Sequence, residues 1–482
     1  MKRRTAPLLL ALCLGMGLFA CKKNTEDATP DTNSKEHVAG NQWIYEQMAS
    51  YYFWTDKLPS EANTDQTLEP ESYFTSLLNT YNATSNPDGD RFSYFSPDAA
   101  TLEAALNGES LTTGMQFRLF YRDNARVNIV GQVLYVLKGS PAAAAGFKRG
   151  DVFTKVNGTT LTTTNYESLL YGSTTSYSFT LGTVSTSNTI EDTSTTLAVT
   201  ATTFQEDPVF LDSTYTVNGK KVGYLVYNQF VSSPNNSSSN AYDNHLRQIF
   251  GDFKSAGVQE LILDLRYNPG GSGATATTLA SLIVKYSGAT QIFYKEEYNS
   301  QMNQYLQQQY GSDAFNAYFT NESNNVGNQI SKVTILTSEW TASASELVIN
   351  GLKPYMTVNL IGETTYGKNV GSTTLTDDTG KYSFALQPII VKVYNSLGAS
   401  DYTAGFTPNT SLSEPFNLYA LGNTQETLLN AALYGTSTGG RQAAGVASLS
   451  SSITKKATFG KLLIRDKDTA VKSFMKKRTS VL

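Results

Sequence analysis

Between Lys221 and Ile361, short apolar β-rich runs alternate with helical patterns, and that alternation limits the architecture more than any other feature of the chain. Lys221-Val222-Gly223-Tyr224-Leu225-Val226-Tyr227 reads as a strand, and Ala241 to Phe250 as a helix. Val258 to Leu265 is a continuous apolar strand, followed by a helical stretch from Ala274 to Val284. Val333 to Leu336 is another strand, feeding a helix from Ser343 to Leu352, and Thr357 to Ile361 is a further strand. Strands that alternate with helices predict an α/β core built on a substantially parallel sheet. Such sheets keep their sites in the loops at the strand ends.

The chain has 482 residues, enough for two or three domains. Lys2-Arg3-Arg4 forms a positive start and Pro7 to Phe19 an apolar stretch too short to span a bilayer, so residues 1–20 read as a secretory signal. It ends Leu18-Phe19-Ala20-Cys21, which resembles a bacterial lipobox and implies lipid on Cys21 after cleavage. Cys13 would leave with the signal, so no disulfide framework is expected. Residues 21–40 are polar and charged and read as a tether off a membrane. Residues 41–111 carry helical spacing: Trp43, Ile44, Met48, Tyr51 and Tyr52, then Tyr73, Leu77, Leu78 and Tyr81. Those aromatics read as core, in a small domain without recognisable chemistry. Residues 112–204 turn to short strands, residues 205–435 hold the α/β alternation, and residues 436–482 read as a linker with a basic end at Lys476-Lys477-Arg478. A net charge of −4 gives no basic footprint for nucleic acid.

Three strand-end segments carry candidate chemistry. Thr341-Ala342-Ser343-Ala344-Ser345-Glu346 follows an apolar strand, so Ser343 would open a helix whose first N–H groups are unpaired. A serine there can attack a carbonyl while the N–H of Ala344 helps to hold the oxyanion. The plainer reading of Ser343-x-x-Glu346 is a capping box. Lys368 lies 25 residues after Ser343, in Tyr366-Gly367-Lys368. The chain has only two histidines: His37 in the polar leader and His245 in a polar helical stretch. Lysine is therefore the better candidate base, provided that burial keeps it neutral. Asn268-Pro269-Gly270-Gly271 reads either as strand punctuation or as a loop whose N–H groups face developing negative charge.

In the β-rich part, Gly139-Ser140-Pro141-Ala142-Ala143-Ala144-Ala145-Gly146-Phe147-Lys148-Arg149-Gly150-Asp151, followed by Val156-Asn157-Gly158, closely resembles the matching stretch of bacterial PDZ domains. A PDZ domain takes a peptide as an added strand and captures its terminal carboxylate in a backbone nest. The resemblance puts that nest at Thr113-Gly114-Met115-Gln116-Phe117; many PDZ loops have a second glycine where Gln116 stands. Asp264-Leu265-Arg266-x-Asn268-Pro269-Gly270-Gly271, the Ser343 segment, and Gly362-Glu363-Thr364-Thr365-Tyr366-Gly367-Lys368 resemble, in order and spacing, the carboxyl-terminal processing peptidases, also called tail-specific proteases. The resemblance covers roughly Thr112 to Leu418.

It implies a ClpP/crotonase-like mixed sheet with helices, a β-rich PDZ domain and a small N-terminal helical domain. It also implies a serine endopeptidase with Ser343 as nucleophile and Lys368 as base. The oxyanion donors map to Ala344 and to Gly270 or Gly271. Many members orient the lysine with a glutamine four residues on, where this chain has Ser372; others place an aspartate eleven residues after the serine, where it has Pro354. Ser372 is thus the candidate orienting residue. No cofactor or metal is expected. The expected partners are unfolded or C-terminally exposed proteins and, through Cys21, a membrane facing the periplasm or the cell surface. The competing reading is a peptide-binding lipoprotein on the same fold with an idle dyad. A carbohydrate-binding surface lipoprotein, suggested by the many tyrosines, has no paired carboxylates or aromatic platform to support it.

Overall fold

The computed structural model describes residues 32–122, 125–184, 189–330, 332–435 and 462–465. The expected signal, Cys21 and most of the expected tether and tail lie outside the described residues.

The core is a six-stranded mixed sheet in the order Val209–Val217, Lys220–Tyr227, Glu260–Asp264, Lys332–Thr337, Thr357–Gly362, Thr410–Ser411. The first pair is antiparallel and the remaining neighbours are parallel. Alternate residues of each central strand serve opposite layers. Leu261 and Leu263 pack beneath the helices Ala241–Ala256, Gly273–Ile283 and Ala344–Leu352, while Ile262 faces Leu428 and Leu429 of the helix Thr427–Tyr434. Burial on both faces is why these strands read as continuous apolar runs. Each such aliphatic side chain contributes about 1.5–3 kcal/mol relative to an exposed position. The parallel register sets Asp264 beside Leu336 and Leu336 beside Ile361, so the carboxyl ends of three adjacent strands sit side by side.

The β-rich part is a separate sheet ordered Leu462–Arg465, Met115–Tyr121, Ile129–Val136, Val152–Val156, Ser176–Val184, Ile190–Thr200. Met115, Phe117, Phe153 and Leu161 form its core with the helix Tyr166–Tyr171. A two-stranded ribbon, Glu109–Thr112 with Thr202–Gln205, ties the two chain ends of this unit together.

The N-terminal region differs from expectation in two ways. Its first helix spans Thr32–Tyr51, so it starts nine residues before Asn41, inside the stretch read as tether, and includes His37. That polar first half has no apolar stripe to announce it; Asn41 instead anchors the helix by donating to the carbonyls of Gln66 and Leu68. Nor is the region purely helical. Tyr94–Ser96 pairs with Ala385–Gln387 of the core segment, and Phe95 packs with Phe384 and Leu386. A long-range pairing of this kind leaves no local signature in a three-residue strand.

Candidate active site

Ser343 sits in a backbone conformation that few non-glycine residues adopt, with φ 56° and ψ −115°, immediately before the helix Ala344–Leu352. Such strain persists only where the surroundings enforce it. Here the enforcement is visible. The Thr341 hydroxyl donates to the Leu265 carbonyl at 2.9 Å, and the Ser345 hydroxyl donates to that of Asn268 at 3.1 Å. The Ala342 N–H also reaches the Asn268 carbonyl. The serine turn is therefore bonded onto the glycine turn of the neighbouring strand.

The glycine turn presses against the serine. A Cβ on Gly270 would lie 2.7 Å from the Ser343 Cβ and 3.0 Å from the Ala344 nitrogen, so only glycine fits. The Gly270 N–H is already used, donating to Asn268 Oδ1 at 2.8 Å. Among the described residues no hydrogen bond is made by the N–H of Gly271 or of Ala344. Those two N–H groups are thus the ones left to meet a developing oxyanion.

Glu346 is the residue whose role sequence reasoning missed. It is fully buried. Its Oε2 accepts from the backbone N–H of Ser343 at 3.0 Å and from that of Lys368 at 2.7 Å. Its Oε1 accepts from the Thr365 hydroxyl at 2.6 Å and from the Gly367 N–H at 2.7 Å. The carboxylate that looked like a mere capping partner joins the serine turn to the lysine loop. Burial pushes its pKa up, and the four donors oppose that rise. The signal was present in the capping-box spacing, but nothing in the sequence marked its second set of partners.

Lys368 follows the strand Thr357–Gly362, as the spacing predicted. Burial holds its amine below the usual lysine range, against the opposing pull of Asp90 and Glu346. This is the direction a general base needs. Ser372 goes elsewhere: it lies on the strand Val370–Ser372, paired with Ile389, and among the described residues no hydrogen bond joins it to Lys368. The expectation that Ser372 orients the lysine therefore has no hydrogen bond behind it among the described residues. His37 pairs with Glu69 at 3.5 Å, and His245 rides on the helix Ala241–Ala256; neither joins the serine.

A buried ion cluster fixes the strand that carries the glycine turn. Arg266, with no exposed surface, donates to Asp264, Glu414 and Glu426 at 2.7–3.1 Å. From the β-rich unit, Arg149 reaches in to the Tyr267 hydroxyl and Glu414, each at 2.6 Å, and also donates to the Leu134 carbonyl of its own unit at 2.6 Å. Burial opposes ionisation of Glu414 and Glu426, but Arg149 and Arg266 outweigh it and hold both carboxyls below the usual range. The β-rich unit and the strand leading to Gly270 are thus wired through one set of charges.

The expected nest forms the turn into the strand Met115–Tyr121. Gly114 has φ 79°, and a Cβ there would collide with Ser140, 2.1 Å away. Met115 and Phe117 point into the apolar core, with Phe117 stacked on Tyr171 of the facing helix. Thr113 and Gly114 accept from Ala142 and Leu137, which locks the turn. The side-chain amide oxygen of Gln116, Oε1, is buried without a hydrogen-bond partner among the described residues. The free edge of this strand is covered by Leu462–Arg465 of the same chain, running antiparallel.

Comparison with known proteins bears on the family and the fold. Residues 221–411 match the profile of Peptidase family S41, residues 39–94 that of the Peptidase S41 N-terminal domain, and residues 132–176 that of a PDZ domain. The crystal structure of an S41 protease candidate from Bacteroides fragilis NCTC 9343 superposes with a TM-score of 0.66 at 30% identity, covering 81% of this chain and 96% of that one. A carboxyl-terminal-processing protease of Picosynechococcus sp. is 28% identical over 278 residues, 56% of this chain and 57% of the relative. A protein named "Probable CtpA-like serine protease" from Staphylococcus aureus (strain N315) is 27% identical over 244 residues, 49% of this chain and 42% of the relative. The chain thus spans about half the length of the curated relatives it matches.

Proposed function

The chain belongs to peptidase family S41, and on that premise we propose that it is a serine endopeptidase acting through a Ser343–Lys368 dyad. The observation that carries the reading is the convergence of both residues' backbones on one buried carboxylate oxygen of Glu346, beside the Gly270-Gly271 turn. The neutral Lys368 amine takes the Ser343 hydroxyl proton as Oγ attacks the scissile carbonyl. The N–H groups of Ala344 and Gly271 stabilise the tetrahedral oxyanion. The intermediate collapses to an acyl-enzyme while the lysine ammonium returns its proton to the leaving amine. Water, deprotonated by the same amine, then releases the acyl group and restores the serine.

The substrate in this proposal is an unfolded or C-terminally exposed protein, whose tail adds to the edge of Met115–Tyr121 with its carboxylate at the Gly114 turn. An incoming tail would take the edge now paired with Leu462–Arg465. Export and lipidation at Cys21, with the enzyme held at a membrane, belong to the same proposal and rest on the leader sequence. The test is cleavage of an unstructured protein by the parent, Ser343→Ala and Lys368→Ala, with fluorophosphonate labelling of Ser343. Loss of cleavage in both variants supports the dyad. Unchanged cleavage in both refutes it, and a parent that neither cleaves nor labels is a peptide holder on a peptidase fold.

A further inference from the structure

The N-terminal domain comes to the active site through one loop, Asp90 to Ser93. Arg91 donates one guanidinium nitrogen to the Gly367 carbonyl at 2.6 Å and to the Thr403 carbonyl at 2.9 Å. Gly367 is the residue directly before the candidate base. Phe92 packs its ring against Tyr366, with centroids 6.0 Å apart, and the Lys368 Nζ lies 5.4 Å from the Phe92 centroid. The loop is built to hold still. Buried Asp90 accepts from the N–H groups of Phe92 and Ser93 and from the Tyr52 hydroxyl, at 2.8–2.9 Å. The Ser93 hydroxyl accepts from the Ile389 N–H at 2.8 Å, and the Phe53 N–H donates to the Ile389 carbonyl. The Arg91 guanidinium carbon itself lies 5.0 Å from the Tyr81 ring centroid and 4.8 Å from that of Phe92.

We propose that this loop is the roof of the catalytic base: Phe92 excludes water from the Lys368 amine, and Arg91 fixes the backbone that presents it. The proposal rests on the Ser–Lys reading and gives the N-terminal domain a part in the reaction, where its sequence suggested only a core. Both residues act as positioning groups, Arg91 through the Gly367 carbonyl and Phe92 through its ring beside the Lys368 amine. The ring has two opposed effects on the amine. Its face attracts a cation, and its bulk displaces the water that would hydrate one. Displacement wins, because an ammonium is held more strongly by a full hydration shell than by one aromatic face. The charges around the amine are Asp90 and Glu346, which favour the ammonium. Asp88, Arg91 and Lys392 line the adjoining cleft.

The experiment compares full-length parent, Phe92→Ala, Phe92→Leu, Arg91→Ala and Arg91→Lys. The readouts are kcat and KM across pH on a labelled unstructured protein, with fluorophosphonate labelling rates at Ser343. Opening the roof in Phe92→Ala should move the acid limb of kcat/KM to higher pH by about one unit, a tenfold loss below the limb that high pH restores. Phe92→Leu, still an apolar cover, should stay near the parent. Arg91→Ala should lower kcat at every pH with KM and the limb unmoved, and Arg91→Lys should recover part of it. If Phe92→Ala fails to unfold cooperatively, Phe92→Gln at this half-buried position carries the comparison. A parent-like limb and rate in the Phe92 and Arg91 variants, with Ser343→Ala and Lys368→Ala inactive, overturns the roof and leaves the dyad standing. Cleavage that survives Lys368→Ala overturns the dyad itself.

Discussion

Glu346 offers the sharpest perturbation of the site, because one carboxylate serves four donors that come in two pairs. A glutamine in its place has one oxygen and one NH2 group, so one pair must face the wrong atom. With the NH2 toward Oε2's position, the N–H groups of Ser343 and Lys368 are both left unpaired. With the NH2 toward Oε1's position, the Thr365 hydroxyl can turn to accept, although it already accepts from the Phe406 N–H, and only the Gly367 N–H is orphaned. The second orientation wins. Glu346→Gln should therefore cost about 1–3 kcal/mol of stability, the penalty for one unpaired buried donor. Relief of a buried charge trims that cost. Glu346→Leu orphans all four donors and should cost about 4 kcal/mol or more, at the upper end of single substitutions. Catalysis is the more sensitive readout. A shift of the Lys368 loop by about 1 Å would lower kcat roughly 100-fold.

Denaturant unfolding gives the stabilities, and turnover of an unstructured protein gives kcat. The pH dependence adds a check of sign. Because burial raises the Glu346 pKa in the folded state, its contribution to stability is present in full below the unfolded value and is lost as pH rises through the folded one. The parent should therefore gain relative to Glu346→Gln as the pH is lowered through this window. The reasoning is refuted if Glu346→Leu unfolds and turns over like the parent, or if Gln proves more damaging than Leu by both measures.

Three further outcomes follow from the same geometry. Lys368→Met should abolish turnover by about 10²–10⁴-fold, the usual worth of a general base. It should also raise Tm at neutral pH, with the advantage fading as pH climbs toward the unfolded lysine value, because the folded state binds that proton less well; a lower Tm would show that the amine is stabilising. Gly270→Ala adds a Cβ 2.7 Å from that of Ser343 at φ 108°, so kcat should fall about 10²–10³-fold and stability by about 1–3 kcal/mol, read by kinetics and thermal melts. Glu426→Gln weakens two contacts to wholly buried Arg266, at 2.7 and 2.9 Å, and should cost about 3–5 kcal/mol. Since the folded Glu426 pKa is depressed, that difference should persist above the unfolded carboxylate value and shrink as pH falls through the folded one, which acid-unfolding curves of the two proteins would check.

What the sequence disclosed and what it hid divide along one physical line. The strands Glu260–Asp264 and Lys332–Thr337 were legible because burial on both faces writes an unbroken apolar run into the chain. The Ser343 and Gly270 turns were legible because each follows such a strand at a fixed spacing. Glu346 was hidden by a local rule that explained it completely: a glutamate three residues after a serine needs no further reason than the helix end it caps. Its other partners lie 19–22 residues away, in a loop whose position only the sheet register decides. Arg91 and Phe92 were hidden more deeply. Arg91 meets the Gly367 carbonyl across 276 residues, and an arginine beside a phenylalanine in a loop carries no pattern that names a distant backbone oxygen. The early start of the helix Thr32–Tyr51 has the same cause, since Asn41 is secured by carbonyls 25 and 27 residues on rather than by an apolar stripe of its own. The candidate reacting residues stood out because they sit at the ends of regular elements; the residues bonded around them did not, because their partners are supplied by tertiary structure. A site read from sequence will therefore tend to name its candidate reacting residues and miss what surrounds them, and here what went unread is the carboxylate of Glu346 and the contacts of Arg91 and Phe92 with the lysine loop.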